Sequence, residues 1–496
     1  MNIFKKKSLC AALAGAGALG LAGAADAVNL NPDGLGQVLI YPYYTTRSDT
    51  NGNAYNSLLS VVNSTASVKA VKVRFLEGKN STEVLDFNLF LSPKDVWTAA
   101  IVPMGGGAGI ATTDTSCTIP AIPSTGKGFV NFAYSGDGAG NSLDRTTEGY
   151  VEIIEMASFA DTSKTAGNVT HVNGVPPGCA KQTDALALSE ALAPGLADTE
   201  GRSGIFGGMT LVNVNAGSDY TEDAVALDNY SDTSLYSSAG SILPNLTQAS
   251  PPISVTFAFD AASGQNFVYT SAWNSGTADP VSAVLMHDHI MNEFVLDTAT
   301  DSGTDWVVTM PTKRFYVGLG TGSPATLFQR NFNKTDGACD DVSLAIYDRE
   351  ERTTSTPIDF SPPPPTQTNA LCWEANVVTF NDSNVLGSAN VANIPTTFEN
   401  GWLDIGFANT APVHTLGSAD TLVTDVFANF AEGPATYVGL PVVGFAVQSF
   451  TNGAINVNGV STLSNYGGNF AQKGTRLIQA STPATAGATV KSMRAR

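Results

Sequence analysis

The run Val71-Lys72-Val73-Arg74-Phe75 alternates apolar and basic residues. Successive side chains of a β-strand point to opposite faces, so this period of two predicts a half-buried strand with Lys72 and Arg74 on a wet face. Around it lie further short runs rich in Val, Ile, Leu, Phe and Tyr, bounded by Asn, Gly, Ser and Pro: Gly36 to Tyr44, Ser57 to Val62, Val68 to Leu76 and Glu83 to Leu91. Only Ala180 to Ala193 has a helical spacing, with Ala185, Leu188 and Leu192 along one side and Pro194-Gly195 as the stop. The fold class expected is all-β.

The first strands have an echo later in the chain. Leu59 to Ser64, Val71 to Phe75, Phe87 to Leu89 and Asp95-Val96-Trp97-Thr98 recur in order as Tyr269 to Ser275, Val281 to Met286, Phe294 to Leu296 and Asp305-Trp306-Val307-Val308. Gly149-Tyr150-Val151-Glu152-Ile153 likewise resembles Gly401-Trp402-Leu403-Asp404-Ile405, at a wider separation that an insertion such as Asp348 to Gln367 would explain. The organisation expected is two tandem, duplicated β-sandwich domains, Ig-like or jelly-roll-like, with long loops and one short helix. They span residues 28–248 and 251–475, with a linker near Gln248 to Pro252 and a flexible C-terminal tail over 476–496. Trp97 and Trp306 are expected as their core anchors.

Residues 1–27 have the pattern of a cleavable signal peptide: Lys5, Lys6 and Lys7, an Ala, Gly and Leu run over Leu9 to Leu21, then Ala25-Asp26-Ala27. Cys10 precedes the apolar run, the wrong place for a lipid-modified cysteine. No later stretch reads as a membrane anchor, and the long polar loops argue against an outer-membrane barrel. The full chain carries 25 basic and 44 acidic residues. Losing the leader removes three lysines and one aspartate, which leaves 22 and 43 and a net charge of −21. Such a balance disfavours nucleic acid as a partner and favours cations.

Four cysteines follow the leader: Cys117, Cys179, Cys339 and Cys372. An even number in an exported chain suggests disulfides, and of the three pairings Cys117–Cys179 with Cys339–Cys372 is preferred because each is local to one half. A four-Cys metal site is the alternative, but no close C-x-x-C spacing supports it.

Val71 to Gly78, Thr304 to Phe315 and Gly439 to Val447 resemble segments of an uncharacterised group of secreted proteobacterial proteins. That resemblance implies export from a Gram-negative cell and brings no established activity or site residue with it.

Chemistry is sparsely marked. Neither a Gly-x-Ser-x-Gly elbow nor a His-Glu-x-x-His motif is present, and His171, His287, His289 and His414 are the only histidines. A Ser-His-Asp triad would leave no local signature. His287-Asp288-His289 would put two imidazoles on one strand face with Glu293 nearby, a candidate metal site. Asp297, Asp301 and Asp305 recur every four residues, and Asp137, Asn141, Asp144 and Glu148 line a Gly-rich loop; either set is a candidate for a structural calcium, although Ala139 and Ser142 depart from an EF-hand. Asp49 to Asn53 reads as a turn. Lys313-Arg314 could take a carboxylate or phosphate, or pair with a neighbouring Asp. Tyr41-Pro42-Tyr43-Tyr44 could stack on sugars or pack in a core.

The leading expectation is a non-enzymatic structural or adhesive protein of the cell surface, periplasm or extracellular space, associating with itself or with other surface components and needing no cofactor. An extracellular glycan-binding module using Tyr43, Tyr44, Trp273 or Trp402 is the second, and a secreted metal-dependent hydrolase using His287 and His289 is the third.

Overall fold

The alternating run lies in the strand Val68–Glu77, between the strands Glu148–Phe159 and Glu83–Leu91 of an antiparallel sheet. The computed structural model describes residues 27–198, 201–260, 264–319, 326–335, 337–353, 369–408, 410, 413–425, 429–481 and 491–495. The leader up to residue 26 and Pro362 to Pro365 lie outside the described residues. This first sheet has the order Asn29–Leu30, Val225–Asp228, Val38–Thr45, Glu148–Phe159, Val68–Glu77, Glu83–Leu91, Thr118–Ile119. A second sheet runs Ser218–Asp223, Gly208–Asn213, Asn56–Asn63, Val96–Met104, Gly107–Ala111, Lys127–Gly128. Val71, Val73, Phe75 and Phe87 of the first sheet meet Leu59, Val61, Trp97 and Ile101 of the second in one buried cluster, which makes a β-sandwich.

Beyond residue 251 the main layers are a third sheet, ordered Val391–Ile394, Ala375–Phe380, Gly303–Thr309, Val443–Val457, Val460–Ala471, and a fourth. The fourth is ordered Ser343–Asp348, Asn400–Gly406, His289–Val295, Lys473–Ala480, Thr436–Val438, Thr415–Gly417. Trp306, Val308, Val378 and Phe380 of the third sheet pack on Ile290, Phe294, Leu403 and Ile405 of the fourth. Their sequence neighbours Val307, Val377, Phe445 and Val447 turn the other way and join the N-terminal cluster. One strand period therefore serves two cores at once. A smaller sheet, Ile253–Asp260, Gln265–Ala272, Asp420–Asp425, Phe430–Gly433, lies beside them. No sheet among the described residues closes into a barrel.

Direct bonds cross between the halves. Thr309 Oγ1 donates to the Pro42 carbonyl at 2.7 Å, Tyr55 Oη to Val385 at 3.0 Å, and the Ala375 amide to Gly78 at 2.8 Å. The stretch expected as a linker is itself bridged, Ser250 to Ser231, and just beyond it Ser254 of the strand Ile253–Asp260 bridges Val28.

Two expectations need correction. Lys72 and Arg74 do not face water: they are 0% and 1% exposed, because residues 229–249 and the helices Lys164–Val169 and Asp184–Ala191 roof the outer face of the first sheet. Beneath that roof Lys72 pairs with Asp86 at 2.9 Å, and Arg74 pairs with Glu83 and Glu152, both at 2.7 Å. The second correction concerns the echo. Where the first copy has the strand Val68–Glu77, the second has the helix Asp279–Leu285, so the described residues hold three α-helices rather than one. Asp279 in its first turn suits the positive helix N-terminus, Pro280 supplies a preset φ, and every residue from Pro280 to Leu285 is buried. An all-buried run has no alternation to tell strand from helix.

Cys117 with Cys179 and Cys339 with Cys372 stand at disulfide distance, in the local pairing. Residues 476–480 of the expected tail are strand, the end of Lys473–Ala480.

Candidate functional site

The His287-Asp288-His289 group is split between two sheets. His287 ends the two-residue strand Met286–His287, which pairs with Leu440–Pro441, and its ring lies over Gly474, where an added Cβ would come within 2.5 Å of it. Its Nδ1 is 2.9 Å from the Leu285 carbonyl, and its pKa is held down to about 3, chiefly by burial and then by Arg476. His289 begins the next strand, with Nδ1 2.7 Å from Asp404 Oδ1. Glu293 is exposed further along that strand. Among the described residues no group of three or more His, Cys, Asp or Glu gathers as metal ligands would.

The acidic loops are also dispersed. Asp297 Oδ1 accepts the Ala299 amide in a turn, and Asp301 has a positive φ of 43°. Asp305 is fully buried on the opposite side of its strand from Trp306, accepts the Leu386 amide at 2.8 Å, and has its pKa raised to about 6 by burial. Arginines take up the other set. Asp137 chelates Arg145, Asp144 pairs with Arg47, and Glu148 binds Arg47, Tyr43 and Ser388. Lys313 pairs with Asp340, and Arg314 donates to the Ser81 carbonyl.

One trio does resemble a triad in composition. Ser92 Oγ is 2.6 Å from His171 Nδ1, and Asp95 is 3.6 Å from the same nitrogen, while Nε2 faces Thr115 Oγ1. A triad needs carboxylate and nucleophile on opposite ring nitrogens, so this arrangement lacks the geometry of a charge-oriented base.

The aromatic candidates separate sharply. Tyr43 and Tyr44 are 1% and 0% exposed and Trp273 is 6% exposed, whereas Trp402 is 38% exposed. Trp402 sits in the strand Asn400–Gly406, whose Leu403 and Ile405 face the core, so alternation turns Trp402 and Asp404 outward. On that outer face its register partners are Glu293 on one side and Tyr347 on the other. The Trp402 and Tyr347 rings stack with centroids 4.6 Å apart and planes at 15°. Gly401 permits the close packing beneath, since a Cβ there would stand 2.0 Å from the Tyr347 carbonyl and 2.9 Å from the Phe294 ring.

Trp402 lines an open groove of about 590 Å³, together with Glu293, Arg349, Asn400, Gln448, Phe450 and Lys473. Lys473 Nζ donates to Asn292 Oδ1 at 3.1 Å. The groove thus combines a supported aromatic surface with hydrogen-bonding groups of both signs. Sequence reasoning named Trp402 and Glu293 but not Tyr347, Arg349 or Lys473. Only their place across the sheet joins them, and no local pattern records it.

Comparison with protein-family models, with curated proteins and with solved structures finds no match. No helix among the described residues is long and apolar enough to cross a membrane.

Proposed function

We propose that this is an exported glycan-binding protein of the periplasm, cell surface or extracellular space, working through the outer face of the fourth sheet. Export is supported by the leader pattern and by cysteine pairs that fit an oxidising compartment. The observation that carries the binding role is Trp402: the one candidate aromatic left substantially exposed stands in the groove, held from behind by Tyr347. A sugar ring laid on the free indole face would bury its C–H groups there while its hydroxyls meet Glu293, Asn400 and Lys473. A panel of neutral and charged glycans tests this directly. Trp402→Ala is expected to weaken binding about tenfold or more, the equivalent of one lost ring contact of roughly 1.5 kcal/mol. Unchanged binding by that variant, or no glycan bound by the parent, sinks the proposal.

A specific observation also favours self-association. Phe257, Val268, Thr424 and Phe430 form one cross-strand row on the small sheet, and Phe257 and Phe430 are 63% and 66% exposed. Such a row suits a second copy of the chain. Size-exclusion of parent and Phe430→Asp would show it as a dimer that the variant abolishes, and a parent monomeric at high concentration counts against it.

A further inference from the structure

Of the basic pair Lys313-Arg314, Lys313 has left the surface altogether. Its Nζ stands 2.8 Å from Asp340 Oδ2, and both side chains are 0% exposed. The surroundings are largely apolar: Nζ lies 5.6 Å from the centre of the Phe328 ring, in the cluster that holds Leu327, Phe332 and Leu371. The Leu371 carbonyl, at 3.5 Å, is the hydrogen-bond acceptor of Nζ. Although close to Nζ, Asp340 Oδ2 is not aligned with it as a hydrogen-bond partner. The other oxygen, Oδ1, accepts the Gln329 amide at 2.7 Å and is 4.0 Å from His414 Nδ1.

Both backbones are fixed. Lys313 begins the short turn of helix Lys313–Phe315, and Asp340 lies in the two-residue strand paired with Ala370–Leu371, next to Cys339 and its partner Cys372. Amine and carboxyl are therefore held together where water does not compete, the condition under which an intramolecular condensation gains most from proximity. We propose that Lys313 and Asp340 condense within the folded protein to an isopeptide cross-link joining Nζ to Cγ.

The step balances without any co-reactant. Proton transfer inside the ion pair gives a neutral amine and a carboxylic acid. The Nζ lone pair attacks Cγ, an Nζ–Cγ bond forms, and the Cγ–OH bond breaks. The departing oxygen leaves as water with the proton shed by Nζ; nothing is oxidised or reduced. Glu374 assists indirectly. It is 1% exposed, and burial raises its pKa to about 8 against the opposing charge of Lys313. Neutral, it adds no second negative charge to the pair.

Intact mass under denaturing, reducing conditions decides the matter. The parent chain is expected to weigh one water less than its sequence and to yield a branched peptide joining Lys313 to Asp340; Lys313→Arg should show neither. Lys313→Arg keeps a cation opposite Asp340, and the parent measurement alone is decisive if it does not fold. A parent at full mass overturns the proposal, as does a water deficit that persists in Lys313→Arg.

Discussion

Two sheet faces in this molecule carry polar side chains in alternation, and they end differently. The outer face of the first sheet bears Lys72, Arg74 and Glu152, all 1% exposed or less beneath a roof of loop and helix. The outer face of the fourth bears Tyr347, Trp402 and Glu293, the last two lining an open groove. The difference teaches that alternation marks which residues leave a core and not whether they reach water. Cover comes from elsewhere in the chain: Ser237 and Ser238 offer carbonyls to Asn88 and Lys72, and Asp184 accepts from Asn88, Tyr236 and the Ala239 amide.

The roofed face gives the largest expected effect. Arg74→Ala would leave Glu152 buried without its main cation, and burial already raises the pKa of that carboxyl. A loss of about 3–5 kcal/mol is expected, against at most about 1 kcal/mol for a surface pair. Urea unfolding of the variant would tell a roofed face from a wet one.

The disulfide Cys117–Cys179 ties that roof to the edge strand Thr118–Ile119 of the first sheet. Replacing both cysteines by serine should cost about 2–4 kcal/mol. It should also speed amide exchange in Lys164–Val169 and Asp184–Ala191 before that of the sheet below. Equal exchange in roof and sheet would show that the two are one cooperative unit.

Between the two faces lies the seam where the halves meet, and there Glu374 makes stability depend on pH. Its carboxyl accepts from Ser81 Oγ, and its pKa is raised from 4.5 to about 8, first by burial. A carboxyl whose folded pKa exceeds its unfolded one binds more protons in the native state. Its contribution is therefore fully present below about pH 4.5 and is lost as pH rises toward 8, at up to roughly 1.4 kcal/mol per pH unit. Glu374→Gln should flatten that part of the stability profile, and an unchanged profile would place the titration on another group.

How much of this could be read beforehand follows the same division. The period of two around Val73 was plain, as was the local pairing of the cysteines, because both rest on short-range pattern. The roof was not, since residues 229–249 carry no periodicity and act through backbone carbonyls and scattered side chains such as Tyr230 and Leu246. The helix Asp279–Leu285 was hidden because total burial erases amphipathicity. Of the candidate site, Trp402 was visible as a residue type, while its stacking on Tyr347 is set by register across the sheet.

The smallest stability effect belongs to the open face, and its smallness is the informative part. Trp97 fills the N-terminal core at 0% exposure, so Trp97→Ala should cost about 3–5 kcal/mol. Trp402→Ala removes an indole stacked on one side only, worth about 0.5–1.5 kcal/mol. If thermal unfolding shows Trp402→Ala nearly as stable as the parent, any loss of glycan binding reports on recognition, because the sheet that presents the groove is still in place. If instead it unfolds as readily as Trp97→Ala, the stacked pair is holding the edge strand Ser343–Asp348 to the sheet, and the two faces are more alike than their exposure indicates.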